Sequence, residues 1–128
     1  MNYAKPRKIF LVDDNEFQLT ALADFLAAKG SHQITTFATG EACLAKLHLN
    51  PDVVVLDYNL DSVDRTAANG LTILEQIKKH NPATRVIVLS SQEKYAVALQ
   101  TVSKGAAHYV LKGEDAFEKV NGLINSMD

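Results

Sequence analysis

Five short apolar runs punctuate the chain: KIFLV at 8–12, QITTF at 33–37, DVVVL at 52–56, RVIVL at 85–89 and HYVL at 108–111. They are brief and rich in β-branched residues, which predicts strands rather than helices. VVVL and VIVL show no polar alternation, so both faces of those strands should be covered, as in a parallel sheet with helices on each side.

Between the runs lie segments with helical spacing. In FQLTALADFLAAK, Leu19, Leu22, Ala23 and Leu26 share one face, and Gly30 supplies a stop. In GLTILEQIKKH, Leu71, Leu74 and Ile77 do the same before Pro82 closes the segment. KYAVALQTVSKG sets Leu99 and Val102 on one side and ends at Gly105, and AFEKVNGLINSM carries Phe117, Val120 and Ile124. The order reads βαβαβαβαβα, which predicts an α/β doubly wound parallel sheet with right-handed crossovers. The irregular piece is NLDSVDRTAAN, 59–69, longer than the usual connection of about 2–6 residues in such units. It is read either as a functional loop or as a neutral surface insertion.

Composition narrows the class. A chain of 128 residues fits one domain, 1–128, with a core over about 7–125. With 47% hydrophobic and 22% charged residues it has a globular balance. Thirteen basic against fifteen acidic residues give a formal charge of -2, so no general attraction to nucleic acid or anionic membrane is expected. A single cysteine, Cys43, excludes an internal disulfide and is read as a small apolar residue on a helix. No segment has the length and apolarity of a signal peptide or a membrane span, so the expectation is a soluble, cytoplasmic protein. His32, His48, His80 and His108 lack metal-ligand spacing and are assigned surface or strand-edge roles.

Chemistry is sought just past the carboxyl ends of the strands, where doubly wound sheets bind ligands. The first strand is followed by Asp13 and Asp14, the third by Asp57, the fourth by Ser90 and Ser91, the fifth by Lys112. Each has an ordinary explanation. The aspartates could be turn or cap residues, Ser90 with Glu93 a capping box, and Lys112 a surface lysine. Jointly they bring three carboxylates, a hydroxyl and an amine to one edge. Three clustered carboxylates need a cation, and oxygen-only donors favour Mg²⁺. A carboxylate beside such a cation can attack a phosphoryl group to give an acyl phosphate. The ammonium of Lys112 and the hydroxyl of Ser90 can help neutralise and position that group.

FLVDDN, VVLDYNL, VIVLSS and YVLKG together resemble the motif set of the response-regulator receiver domain of two-component signalling, over nearly the whole chain from Arg7 to Ile124. The resemblance implies a flavodoxin-like sheet in 2-1-3-4-5 order, Asp57 as phospho-acceptor, and Asp13 and Asp14 as the acidic pair. It implies Mg²⁺ held by these three carboxylates and the backbone carbonyl of Asn59. Ser90 matches the switch hydroxyl, Lys112 the lysine, and Tyr109 the switch aromatic. The side chains of Asn59 and Gln92 match positions that tune dephosphorylation. Catalysis would be limited to the chain's own phosphorylation and dephosphorylation. Implied partners are a sensor histidine kinase or histidine phosphotransfer protein, and a downstream protein or an output domain outside this sequence. A phosphorylation-dependent dimer is compatible with this, and direct binding of nucleic acid or membrane is not implied.

Two departures stand out. Lys112 is followed by Gly113 where the family usually has proline with a cis peptide, so a looser loop is expected. The stretch to Gly70 replaces a short proline-containing turn, with Asp61 where proline is common and Asp64 and Arg65 adding charge. The departures motivate an alternative, a pseudo-receiver acting as an adaptor without phosphorylation. An aspartyl-nucleophile phosphatase is disfavoured because Asn59, not an acid, stands two residues past Asp57. A flavin binder is disfavoured because Asp13 and Asp14 would repel its phosphate.

Overall fold

The computed structural model describes residues 5–61 and 66–127. The elements follow in order as β1 (Lys8–Val12), α1 (Glu16–Lys29), β2 (Gln33–Phe37), α2 (Gly40–Leu44), a single 3₁₀ turn (Leu47–Leu49), β3 (Val53–Asp57), α3 (Gly70–His80), β4 (Arg85–Ser90), α4 (Tyr95–Ser103), β5 (His108–Leu111) and α5 (Ala116–Ser126). All five strands are parallel in the order β2-β1-β3-β4-β5.

The unbroken apolar strands have their predicted consequence. Alternate residues point to opposite faces. Phe10, Val12, Val54, Leu56, Val86 and Val88 join Cys43 of α2 and Ile73, Leu74 and Ile77 of α3. Ile9, Leu11, Val53, Val55, Ile87 and Leu89 join Leu19, Leu22 and Leu26 of α1 and Ala116, Val120 and Ile124 of α5. The sheet is therefore sandwiched between two helical layers, each with its own apolar cluster.

Several expectations need correction. The side of α4 that carries Leu99 and Val102 is the outer one: they are 57% and 48% exposed, and the only buried residue of α4 is Thr101. Thr101 spends its hydroxyl on the carbonyl of Val97, one turn back. On α3 the buried set is Ile73, Leu74 and Ile77, with Leu71 only partly covered. Gly30 does end α1, but in extended backbone rather than the left-handed form, whereas Gly105 past α4 has φ 115°. The helix between β2 and β3, for which no apolar stripe was read, spans five residues. The 59–69 connection is not wholly polar surface, because Leu60 is buried in the first cluster. Asp64 and Arg65 lie outside the described residues.

Candidate phospho-acceptor and metal centre

Strand order reverses between β1 and β3, since the chain leaves β1 for β2 on one side and returns to β3 on the other. The crevice beyond their carboxyl ends is where the charged residues meet. Asp57 is the last residue of β3 and 3% exposed. Tyr58 N–H donates to the Leu89 carbonyl at 2.9 Å, extending the ladder past Asp57. Asp13 follows β1 and is 6% exposed, with its N–H on the carbonyl of Phe37 at 3.1 Å. Carboxylate oxygens of Asp13, Asp14 and Asp57 all lie within 4.8 Å of one another.

From the other side, the Lys112 N–H donates to the Ser90 carbonyl at 2.9 Å, which fixes the exit of β5. Its ammonium then reaches Asp57 Oδ1 at 2.9 Å. Asn59 N–H also approaches Oδ1, at 3.4 Å. Asp13 shows the strain of the cluster. Burial foremost, and then the Asp57 charge and a shared hydrogen bond with it, push its carboxyl up to about 7, while the Asn15 N–H and Lys112 pull the other way. An acid whose ionisation is made costly by burial and by the Asp57 charge, in a set of oxygen donors alone, is the environment a hard divalent cation relieves. The donor set thus fits Mg²⁺.

A family model described as the response regulator receiver domain matches residues 9–121. The chain belongs to this family. The receiver is 30% identical over 120 residues to the photosynthetic apparatus regulatory protein RegA of Rhodobacter capsulatus, covering 92% of this chain and 61% of that regulator. It is 24% identical over 122 residues to the chemotaxis protein CheY of Bacillus subtilis, covering 92% of this chain and 98% of that one. Among solved structures, the BeF₃-activated DrrB receiver domain superposes with a TM-score of 0.80 at 30% identity, covering 94% and 95% of the two chains.

The remaining residues singled out in the receiver sequence divide by position. Ser90 is fully buried at the end of β4, and its Oγ accepts from Gln92 N–H at 3.0 Å. It is therefore not the cap of α4, which starts at Tyr95 after Lys94 with no side-chain cap. A serine oxygen that accepts one hydrogen bond keeps its proton to donate elsewhere. Tyr109 is half-buried against the α2–α3 cluster, and its hydroxyl donates to the Gln92 carbonyl at 2.7 Å. Ser90 and Tyr109 thus hold the same loop residue from two sides.

Nor do the aspartates cap helices. Asn15 caps α1 through Gln18 N–H at 3.0 Å, and Asn69 caps α3 through Thr72 N–H at 3.0 Å. The sequence reading assigned neither, although an asparagine just before an apolar-periodic segment is a standard start signal. Gly70 seats α3 against the end of β3: its N–H donates to the Tyr58 carbonyl at 3.0 Å, and an added Cβ would fall 2.5 Å from the Asp57 carbonyl oxygen. The long connection is fastened again where Ala68 N–H donates to Glu41 Oε2 at 3.0 Å. The Lys112–Gly113 peptide is trans, and a side chain on Gly113 would meet open space apart from Asp115.

Proposed function

We propose that the receiver accepts a phosphoryl group on Asp57 and relays the event as a change in a partner-binding surface. One observation carries the reading: the 2.9 Å contact of Lys112 with Asp57 inside a triad of converging carboxylates. The side chains of Asp13, Asp14 and Asp57, with the main chain of Asn59, are the groups that would hold Mg²⁺. When bound, the ion supplies positive charge shared by the carboxylates and an incoming phosphoryl group.

The chain's own residues then have defined tasks. One carboxylate oxygen of Asp57 bonds to phosphorus as the bond from phosphorus to the donor imidazole nitrogen breaks. The electron pair returns to that nitrogen, and the product is an acyl phosphate. The Lys112 ammonium balances charge on the acceptor, and the free proton of Ser90 Oγ is available to a phosphoryl oxygen. Drawing Ser90 inward disturbs its bond with Gln92, and Tyr109, bonded to the same residue, follows. Asn59, whose N–H approaches Asp57, and Gln92, in the loop after β4, are the residues whose side chains would set the lifetime of the phosphorylated state.

The phosphodonor is a sensor histidine kinase or a histidine phosphotransfer protein. The chain spans 61% of RegA and 34% of the protein-glutamate methylesterase of Archaeoglobus fulgidus, so the output of this receiver is proposed only as a protein contact or an attached domain. Among the described residues no helix is long and apolar enough to cross a membrane. A cytoplasmic setting suits the free, buried thiol of Cys43.

The test is incubation with a small phosphoryl donor, with and without Mg²⁺, followed by intact-mass measurement and peptide mapping. The expected result is one added phosphoryl group, dependent on Mg²⁺ and located on Asp57. A group that still appears on Asp57→Asn overturns the assignment. Mg²⁺-dependent binding of beryllofluoride, the activator named for the DrrB domain, separates this reading from an unphosphorylated adaptor.

A further inference from the structure

We infer that Asn15 is a positioning residue for the acidic cluster: its side chain caps α1, and the cap aims its own N–H at the carboxylate of Asp13. The inference rests on the reading of that cluster as a cation site. Two hydrogen bonds run through this one residue. Asn15 Oδ1 accepts from Gln18 N–H at 3.0 Å, and Asn15 N–H donates to Asp13 Oδ1 at 2.9 Å. Its carbonyl takes the first helical bond, from Leu19 N–H, at 2.9 Å.

Both ends of this bridge are anchored. On one side α1 is held by Leu19, Leu22 and Leu26 in the core. On the other, Asp13 is tied through its N–H to β2. Only Asp14 separates the strand-end acid from the cap. The side-chain bond to Gln18 holds Asn15 at φ -90° and ψ 103°, and those angles decide where its N–H points. An N–H fixed on Oδ1 limits rotation of the Asp13 carboxylate about its Cβ–Cγ bond. A carboxylate so restrained is preorganised for a cation, as outer-shell partners preorganise metal ligands elsewhere. Without a side-chain acceptor the bond that fixes those angles is gone, and the donor loses its aim.

The experiment is calorimetric Mg²⁺ titration of the full chain as wild type, Asn15→Ala, Asn15→Gly and Asn15→Ser. Alanine removes the acceptor. Glycine also lacks it but is tolerated at helix starts with little loss of stability, so it guards against an alanine variant that fails to fold. Serine restores an acceptor. The expected result is Mg²⁺ affinity about five- to tenfold weaker for alanine and glycine, and within about twofold of wild type for serine. A folded alanine or glycine variant that binds as tightly as wild type overturns the inference. So does a serine variant as weak as alanine. A wild-type chain that takes up no Mg²⁺ is a different failure, since it removes the cation site itself.

Discussion

The hydroxyl of Tyr109 donates to the main-chain carbonyl of Gln92 at 2.7 Å, across seventeen residues of sequence. The same Gln92 donates its N–H to the buried hydroxyl of Ser90. The loop between β4 and α4 is therefore clasped from the strand it leaves and from the strand beside it. Tyr109→Phe deletes one clasp and leaves the ring in place. The expected loss is about 1 kcal/mol, the ordinary net worth of such a bond. Amide exchange in the segment 91–96 should accelerate while the sheet stays protected. Unchanged exchange there would mean that Ser90 alone holds the loop.

Gly70 presents a harder constraint. An added Cβ would sit 2.5 Å from the Asp57 carbonyl oxygen and 2.6 Å from that of Tyr58, both main-chain atoms with little room to move. Gly70→Ala must push α3 away from the acceptor strand. Overpacking of this kind costs about 1–3 kcal/mol. Urea unfolding measures that cost. Beryllofluoride binding should weaken in parallel, because the atoms displaced belong to Asp57 and its neighbour. A variant with wild-type stability and binding would show that the helix start yields without strain.

The Asp13 carboxyl links stability to pH. Unfolded, it titrates near 3.8; folded, burial and the Asp57 charge push it up to about 7. Between those values the folded chain holds a proton that the unfolded chain has lost. Stability from this group is therefore greatest at low pH and falls as pH rises through the window, by on the order of 4 kcal/mol. His32 acts oppositely. Burial, and then the charge of Arg7, lower its pKa from 6.5, and its Nδ1 accepts from Arg7 N–H, so its contribution is lost as pH falls. Comparison with Asp13→Asn isolates the aspartate. Metal-free wild type should lose stability relative to that variant between pH 4 and 7. Above the window, saturating Mg²⁺ should return part of the loss to wild type and less to the variant. Parallel curves for the two proteins would refute the shift.

How far these features could be read from sequence follows from the length scale of each signal. The parallel sheet is legible in short unbroken apolar runs such as VVVL and VIVL, whereas its 2-1-3-4-5 order, which brings Asp13, Asp14, Asp57 and Lys112 together, comes with the family resemblance. Capping stays open in the sequence as an ordinary explanation for the aspartates and Ser90 because aspartate, serine and asparagine compete for the same local role. Only the backbone shows that Asn15 and Asn69 hold it, leaving the Asp57 carboxylate to Lys112 and the Ser90 hydroxyl to Gln92. Leu60 was unreadable because one apolar residue in a polar stretch has no period to place it. In α4, the spacing of Leu99 and Val102 defines a shared side but not which way it points, and the helix turns it outward.

That outward stripe yields a contrast in mutational cost. Tyr95, Leu99 and Val102 are exposed on α4, and Leu111 at the end of the edge strand β5 is 41% exposed. None belongs to either apolar cluster, so none supplies the burial that stabilises the other four helices. Leu99→Gln should therefore change unfolding free energy by no more than about 0.5 kcal/mol. Leu74→Ala, on the fully buried face of α3, should cost about 2–5 kcal/mol. Paired urea titrations check both numbers. A large loss at Leu99 would mean that α4 packs more tightly in solution than its exposure indicates. A small one fits the exposure of Leu99 and its absence from both apolar clusters.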